Sequence, residues 1–263
     1  MDRKNNKPLK KFGQNYLNDK NILNKIINEF NPQPNDNIIE IGPGRGGLTK
    51  LLLEKNNYLI VVEIDTRVID KLHSLSPKLK IINNDFLKID LNSFCNEKRK
   101  IRIIGNIPYN ITSPIIFKLI DKHEIISDAV FMVQQEVAKR MTGVKGTKDY
   151  GIFSIILKYF CDVSFCFKVS RNVFQPKPNV DSAVVHLRFK TNKEDEIVQR
   201  TFIKVVKASF GNRRKMLKNS LSNSIFKNFD FSNCGINLSQ RAEDLDIKDF
   251  IRLSKFILKN QNA

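Results

Sequence analysis

The chain has 263 residues, 41% of them hydrophobic, with 45 Lys and Arg against 27 Asp and Glu and a formal net charge of +18. No apolar run approaches the roughly 18 residues of a membrane span, and the polar, basic start Met1 to Lys11 has no apolar segment of a secretory signal, so neither membrane nor export is expected. The charge points to a nucleic-acid partner, although heavy use of Lys, Asn and Ile inflates it and scattered lysines also serve solubility.

Residues 1–11 read as a basic arm, for which a solvated tail is the plain alternative. Gly13-Gln-Asn-Tyr-Leu17 is too apolar and too particular for a tail. Asp19 can cap a helix whose apolar positions are Ile22, Leu23, Ile26, Ile27 and Phe30. Ile38 to Ile41 is a strand, Gly42-Pro-Gly-Arg-Gly-Gly47 a glycine loop, and Leu48, Leu51 and Leu52 share one face of the next helix. Tyr58 to Val62 is a second strand, closed by Glu63, which can accept hydrogen bonds from both hydroxyls of a ribose. The glycine loop fits two ligands equally. Gly42, Gly44 and Gly47 satisfy the dinucleotide pattern, while Glu40 with Gly42, Gly44 and Gly46 satisfies that of S-adenosylmethionine enzymes.

Thr66 to Leu75 is predicted helical, and Leu79 to Asn83 is a third strand ending at Asp85 and Phe86. Asp85 can accept from an adenine amine and Phe86 can lie against the ring; an ordinary strand-to-loop acid is the alternative. Arg102 to Gly105 is the fourth strand. The polar loop Gly105-Asn-Ile-Pro-Tyr-Asn110 then precedes a helix over Ser113 to Ile120. At the carboxyl edge of an open α/β sheet, this is where ligands bind. The Asn106 side-chain oxygen and the Pro108 carbonyl are acceptors for the two hydrogens of an adenine N6 amine, and Tyr109 offers a face on which a base can stack. Ordinary turn chemistry explains the same tetrapeptide.

Ala129 to Val133 is a fifth strand, followed by a helical piece with Glu136, Lys139 and Arg140 and a basic turn, Lys145 to Lys148. Tyr150 to Phe160 reads as a buried helix. Cys161 to Val169 and Ser182 to Lys190 alternate as strands. In the stiff loop between them, Phe174 is either the far wall of a base site or a loop anchor in the core. The four cysteines, Cys95, Cys161, Cys166 and Cys234, lack metal-binding spacing and read as thiols in a reducing compartment. From Thr191 onward only helices are predicted: one through Phe202 to Phe210, one through Met216, Leu217, Leu221 and Ile225, and a last through Leu245 to Ile257. Arg213, Arg214 and Lys215 stand at the start of the second, where cations oppose the macrodipole, which hints at a polyanion; a solvated turn is the usual explanation.

Taken in order, Gly-Gln-Asn-Tyr-Leu, Glu-Ile-Gly-Pro-Gly, Val-Glu-Ile-Asp, Asn-Asp, Gly-Asn-Ile-Pro-Tyr-Asn-Ile, Phe-x-Pro-x-Pro-x-Val-Asp-Ser-Ala and Asn-Arg-Arg-Lys-x-Leu make the chain resemble the KsgA/RsmA-type small-subunit rRNA adenine N6-dimethyltransferases along nearly its whole length. The resemblance implies an α/β, Rossmann-like class I methyltransferase core of seven strands over residues 1–190 and an all-helical, rRNA-contacting domain over 191–263. It implies S-adenosylmethionine as methyl donor, no metal, and dimethylation of two adjacent adenosines near the 3′ end of small-subunit rRNA in an assembling subunit, by a cytoplasmic monomer. Carried over, Asn15, Leu17, Gly42, Glu63, Asp85 and Asn106 hold the cofactor. Asn106, Pro108, Tyr109 and Phe174 surround the target base, and Arg213, Arg214 and Lys215 meet RNA. Rival readings are the Erm type, which modifies large-subunit rRNA, a non-catalytic assembly factor on the same fold, and a nicotinamide dehydrogenase.

Overall fold

A computed structural model describes residues 14–56, 58–95, 99–191 and 194–261. The basic arm expected at 1–11 lies outside them. The chain divides into two compact units, Met1–Ala138 with Asp162–Lys190, and Lys139–Cys161 with Thr191–Ala263. The sequence reading kept Lys139–Cys161 in the first domain. Aromatic packing explains the different assignment: Tyr159 stacks on Phe202 with centroids 4.4 Å apart, and the Tyr150 hydroxyl donates to the Leu245 carbonyl at 2.9 Å.

Among the described residues the first unit carries nine strands: β1 (Tyr16–Leu17), β2 (Asn37–Ile41), β3 (Leu59–Glu63), β4 (Lys80–Asn83), β5 (Ile101–Asn106), β6 (Ile126–Gln134), β7 (Cys161–Val169), β8 (Phe174–Gln175) and β9 (Ser182–Phe189). Seven form one sheet in the order β4-β3-β2-β5-β6-β9-β7; β1 and β8 form a separate antiparallel pair. The strands from β4 to β6 run parallel and β9 runs antiparallel to β6. Buried parallel strands need apolar side chains on both faces, and Ile38, Ile39, Ile41, Ile103 and Ile104 supply them. The chain winds from β2 outward to β4, then returns to place β5 on the other side of β2. That reversal opens a crevice at the carboxyl ends of β2 and β5. Gly105 permits the closeness of these two strands, since a Cβ there would lie 2.6 Å from the Ile41 carbonyl oxygen.

Helices flank the sheet: α1 (Lys20–Phe30), α2 (Gly47–Leu53), α3 (Ile69–His73) and α4 (Thr112–Asp121). Asp19 caps α1 by accepting from the Ile22 amide at 3.0 Å, and α1 buries Leu23, Ile26, Ile27 and Phe30. The helix expected over Thr66 to Leu75 is a 3-10 turn, Thr66–Val68, followed by the short α3. Near the amino end of β5, Arg102 forks onto Asp128 at 2.7 and 2.8 Å and reaches Asp36 at 2.6 Å. His186 bridges Asp128 and Glu29, each at 2.8 Å. Burial opposes ionisation of Asp128, but the bonds from Arg102 and His186 win and hold its carboxyl below its ordinary range.

Helix α5 (Gln135–Met141) crosses the unit boundary, and the second unit holds α6 (Ile152–Phe160), α7 (Glu196–Ser209), α8 (Leu217–Ser222) and α9 (Ile247–Gln261). Phe202, Val205, Leu221, Phe250, Leu253 and Ile257 are buried in it. Helix α8 is shorter than expected. The Ser222-Asn-Ser224 run turns the chain, and Ile225, read as a core position, is 72% exposed.

Candidate active site

The crevice holds a cavity of about 660 Å³ lined by residues of the first unit, among them Asn15, Leu17, Gly42, Glu63, Asp85, Asn106, Pro108 and Tyr109. These eight positions, singled out from five separate stretches of sequence, meet in one place. Phe174 is not among the lining residues. It is 6% exposed and belongs to the core cluster, because β8 pairs with β1 and sets Phe174 opposite Leu17. It anchors the strand over the site; the expected far wall for the base is not where the structure puts it.

The glycine loop follows β2. Gly42, Gly44 and Gly46 have φ of 64°, 54° and 80°, a region that L side chains rarely adopt. The Gly44 amide donates to Glu63 Oε2 at 3.0 Å and the Asp65 amide to Glu63 Oε1 at 2.9 Å. Glu63 thus uses one acceptor site on each oxygen for the backbone, and a carboxylate has about four. Burial pushes its pKa up, against the lowering effect of the Asp65, Gly44 and Ile64 amides. Below it Glu40, 1% exposed, accepts from Thr49 Oγ1 at 2.7 Å, and burial pushes its pKa up to about 8. Asp85 closes the turn after β4 by accepting from the Leu87 amide at 2.9 Å, beside the buried Phe86.

These details separate the two ligands that the glycine loop left open. A pyrophosphate needs the amides of the loop, and the Gly44 amide is committed to a carboxylate. The buried ionisable groups that line the cavity, Glu40 and Glu63, are acids, while Lys20, Lys50 and Lys71 stand exposed at its rim. A pyrophosphate meets no buried cation among the described residues of such a floor, whereas S-adenosylmethionine, with no phosphate and a sulfonium, needs none. Ile64, 46% exposed between two buried acids, adds an apolar surface for an adenine ring. Its exposure in an otherwise buried stretch escaped the sequence reading.

The residues Gln14 to Asn18 run across the site. Gln14 Nε2 donates to Asp65 Oδ2 at 2.8 Å. Hydrogen bonds from Arg67 hold the Asp65 carboxyl down at about 2 despite its burial. Tyr16 lies against Gly44, where a Cβ would come within 2.8 Å of the ring, and the Arg45 guanidinium sits 4.5 Å from the ring centroid. The carbonyl of Asn15 accepts from Asn106 Nδ2 at 2.8 Å. An amide held by its NH2 turns its oxygen the other way, so this bond settles which end of Asn106 serves as acceptor. The Pro108 carbonyl already accepts from the Ile111 amide at 3.2 Å and the Thr112 hydroxyl at 3.4 Å. Tyr109 is half-buried and its hydroxyl meets Ser182 Oγ at 2.7 Å. None of these partners, Gln14, Tyr16, Thr112 or Ser182, carried a local signal beyond membership in a motif.

Arg213, Arg214 and Lys215 lie in the turn before α8, in the second unit, rather than on its first turn. Arg213 is bound to Glu243 Oε2 at 3.0 Å and to the Lys148 carbonyl at 2.8 Å, so part of the triplet holds the turn; Arg214 and Lys215 are exposed. Among the described residues no group of three or more His, Cys, Asp or Glu side chains is placed to hold a metal ion, and no helix is long and apolar enough to cross a membrane.

Residues 5–259 match the family model for ribosomal RNA adenine dimethylase. A Ribosomal RNA small subunit methyltransferase A of Francisella tularensis subsp. novicida is 44% identical over 257 residues, 95% of this chain and 98% of that protein. One of Chlorobium phaeobacteroides is 45% identical over 249 residues, covering 94% and 92%. A dimethyladenosine transferase from Plasmodium falciparum superposes with a TM-score of 0.77 at 28% identity, covering 92% of this chain and 97% of that one. The 23S rRNA methyltransferase ErmE gives 0.67 at 25%, covering 92% and 98%.

Proposed function

The chain belongs to the ribosomal RNA adenine dimethylase family, and from that premise we propose that it methylates the N6 atoms of two adjacent adenosines near the 3′ end of small-subunit rRNA, as a monomer acting on an assembling subunit in the cytoplasm. The enzyme class and donor follow from the family: a class I, S-adenosylmethionine-dependent rRNA adenine dimethyltransferase. The observation that supports the catalytic reading most is the Asn106 amide. It stands at the carboxyl end of β5, in the same cavity as Glu63 and Asp85, with its orientation set by Asn15.

S-adenosylmethionine, when bound, supplies an electrophilic methyl group. Glu63 offers its remaining acceptor sites to ribose hydroxyls, and Asp85 with Phe86 and Ile64 receives the adenine of the donor. Asn15 and Leu17 close the site from the strand above it, and Gly42 lets the backbone come close. Asn106 Oδ1 and the Pro108 carbonyl accept from the two hydrogens of the target amine, the carbonyl exchanging its long 3.4 Å bond from the Thr112 hydroxyl for the incoming donor. That aims the nitrogen lone pair and draws electron density away from the ring. Positioning of this kind contributes most of the acceleration in such a transfer. No side chain has to remove a proton first, since the amine loses it readily once the nitrogen is cationic. Tyr109 supports the extracted base by its face, and Arg214 and Lys215 meet the RNA backbone.

The small subunit is favoured over the large by the relatives' names at 44–45% identity, against 25% for the ErmE protein. The test is transfer of label from radiolabelled S-adenosylmethionine to unmethylated small-subunit particles and, separately, to large-subunit rRNA. N6-dimethyladenosine in the particles alone is expected, and Asn106→Ala abolishes it while particle binding persists. Label in large-subunit rRNA, or binding without label, overturns the reading.

A further inference from the structure

With Phe174 buried in the core, Tyr109 is the aromatic residue of the central loop that faces the cavity. Its ring is held at two ends. One is the backbone of the turn after Pro108. The other is the hydroxyl, 2.7 Å from Ser182 Oγ. Ser182 is fully buried at the first position of β9, and its backbone pairs with Gln134 at the last position of β6. Both strands belong to the rigid sheet, and β6 pairs with β5 up to Met132 opposite Asn106. The hydroxyl that meets Tyr109 is therefore fixed to the same framework that fixes Asn106.

We propose that Ser182 is a positioning residue for methyl transfer, whose hydroxyl fixes the long axis of the Tyr109 ring and so the tilt at which the target adenine meets Asn106. This rests on the reading of Tyr109 as the base platform. A phenol attached only at Cβ swings with its first side-chain torsion, which carries the oxygen with it, whereas the second torsion only turns the ring about its own long axis. Tethered at Cβ and at the oxygen, the ring keeps its axis. The bond has no acid or base role: burial pushes the Tyr109 phenol up, so it stays neutral and serves as a fixed face. Ser182 is too deeply buried for water to take its place. Removing either hydroxyl leaves the other unpaired, whereas removing both does not.

The experiment compares Ser182→Ala, Ser182→Thr, Tyr109→Phe, the double variant Ser182→Ala/Tyr109→Phe, and Tyr109→Ala. For each, kcat is measured with small-subunit particles, cofactor Kd by calorimetry and the thermal midpoint by scanning. Misplacement of a reacting group by about 1 Å costs up to roughly a hundredfold in rate, so Ser182→Ala and Tyr109→Phe are each expected to lose about tenfold or more in kcat. Cofactor Kd stays within about twofold, the double variant is no slower than either single, and Ser182→Thr restores the rate. Wild-type kcat in Ser182→Ala while Tyr109→Ala is inactive overturns the proposal. So does a loss in Ser182→Ala that is matched by lost cofactor binding or folding. Wild-type kcat in Tyr109→Ala removes the platform reading itself, and the proposal falls with it.

Discussion

Glu40→Gln is expected to make the folded protein more stable, by an amount that grows with pH. Glu40 is fully enclosed under the glycine loop, with hydrogen bonds from the Thr49 hydroxyl and the Thr49 backbone and the charge of Glu63 nearby. Burial moves its carboxyl from an ordinary 4.5 to about 8. At roughly 1.4 kcal/mol per pKa step, the ionised form is disfavoured in the fold by about 5 kcal/mol. The sign follows from linkage. A raised folded pKa gives stability that is complete below pH 4.5, erodes as pH rises, and is lost as pH passes about 8. The loss attributable to Glu40 is about 1 kcal/mol at pH 5, about 3 at pH 7 and nearly 5 at pH 9. Glutamine keeps the shape and an oxygen for Thr49 but does not ionise. Urea unfolding of both proteins without cofactor at pH 5, 7 and 9 subtracts every other titrating group. The difference between variant and wild type should widen by about 4 kcal/mol across that range. A constant difference refutes the argument, because it places Glu40 in an environment no drier than the unfolded chain.

Glu63→Ala removes a ribose acceptor and the partner of the Gly44 and Asp65 amides, so cofactor affinity should fall by at least about tenfold in calorimetry, about the worth of one charged hydrogen bond; unchanged affinity takes Glu63 out of the site. Gly105→Ala brings a Cβ to 2.6 Å from the Ile41 carbonyl and forces β2 from β5, which should cost about 1–3 kcal/mol in urea unfolding; an unshifted midpoint shows that the sheet yields. The Tyr159 hydroxyl is buried without a hydrogen-bond partner among the described residues, so Tyr159→Phe should leave stability unchanged or raise it by about 1 kcal/mol; a loss of that size means the hydroxyl is satisfied.

What the chain could state locally, it stated. Strand and helix order followed from the spacing of Ile, Leu and Val, and the α1 start from Asp19. The glycine loop and the Asn106 turn announced a ligand at the carboxyl edge of the sheet, because positive φ and proline restrict the backbone residue by residue. Every choice that needed a distant partner stayed open until the sheet order was known. The loop amides could serve a phosphate or a carboxylate until β3 delivered Glu63 to Gly44. Asn106 could present either end of its amide until Asn15, 91 residues away, took the nitrogen. Phe174 could face the base or the core until β8 paired with β1, and Lys139–Cys161 could join either unit until Tyr159 met Phe202. A side chain's type and spacing fix what it is able to bond, but which partner it meets depends on where the β2 to β5 crossover brings remote segments together, and only the tertiary structure carries that.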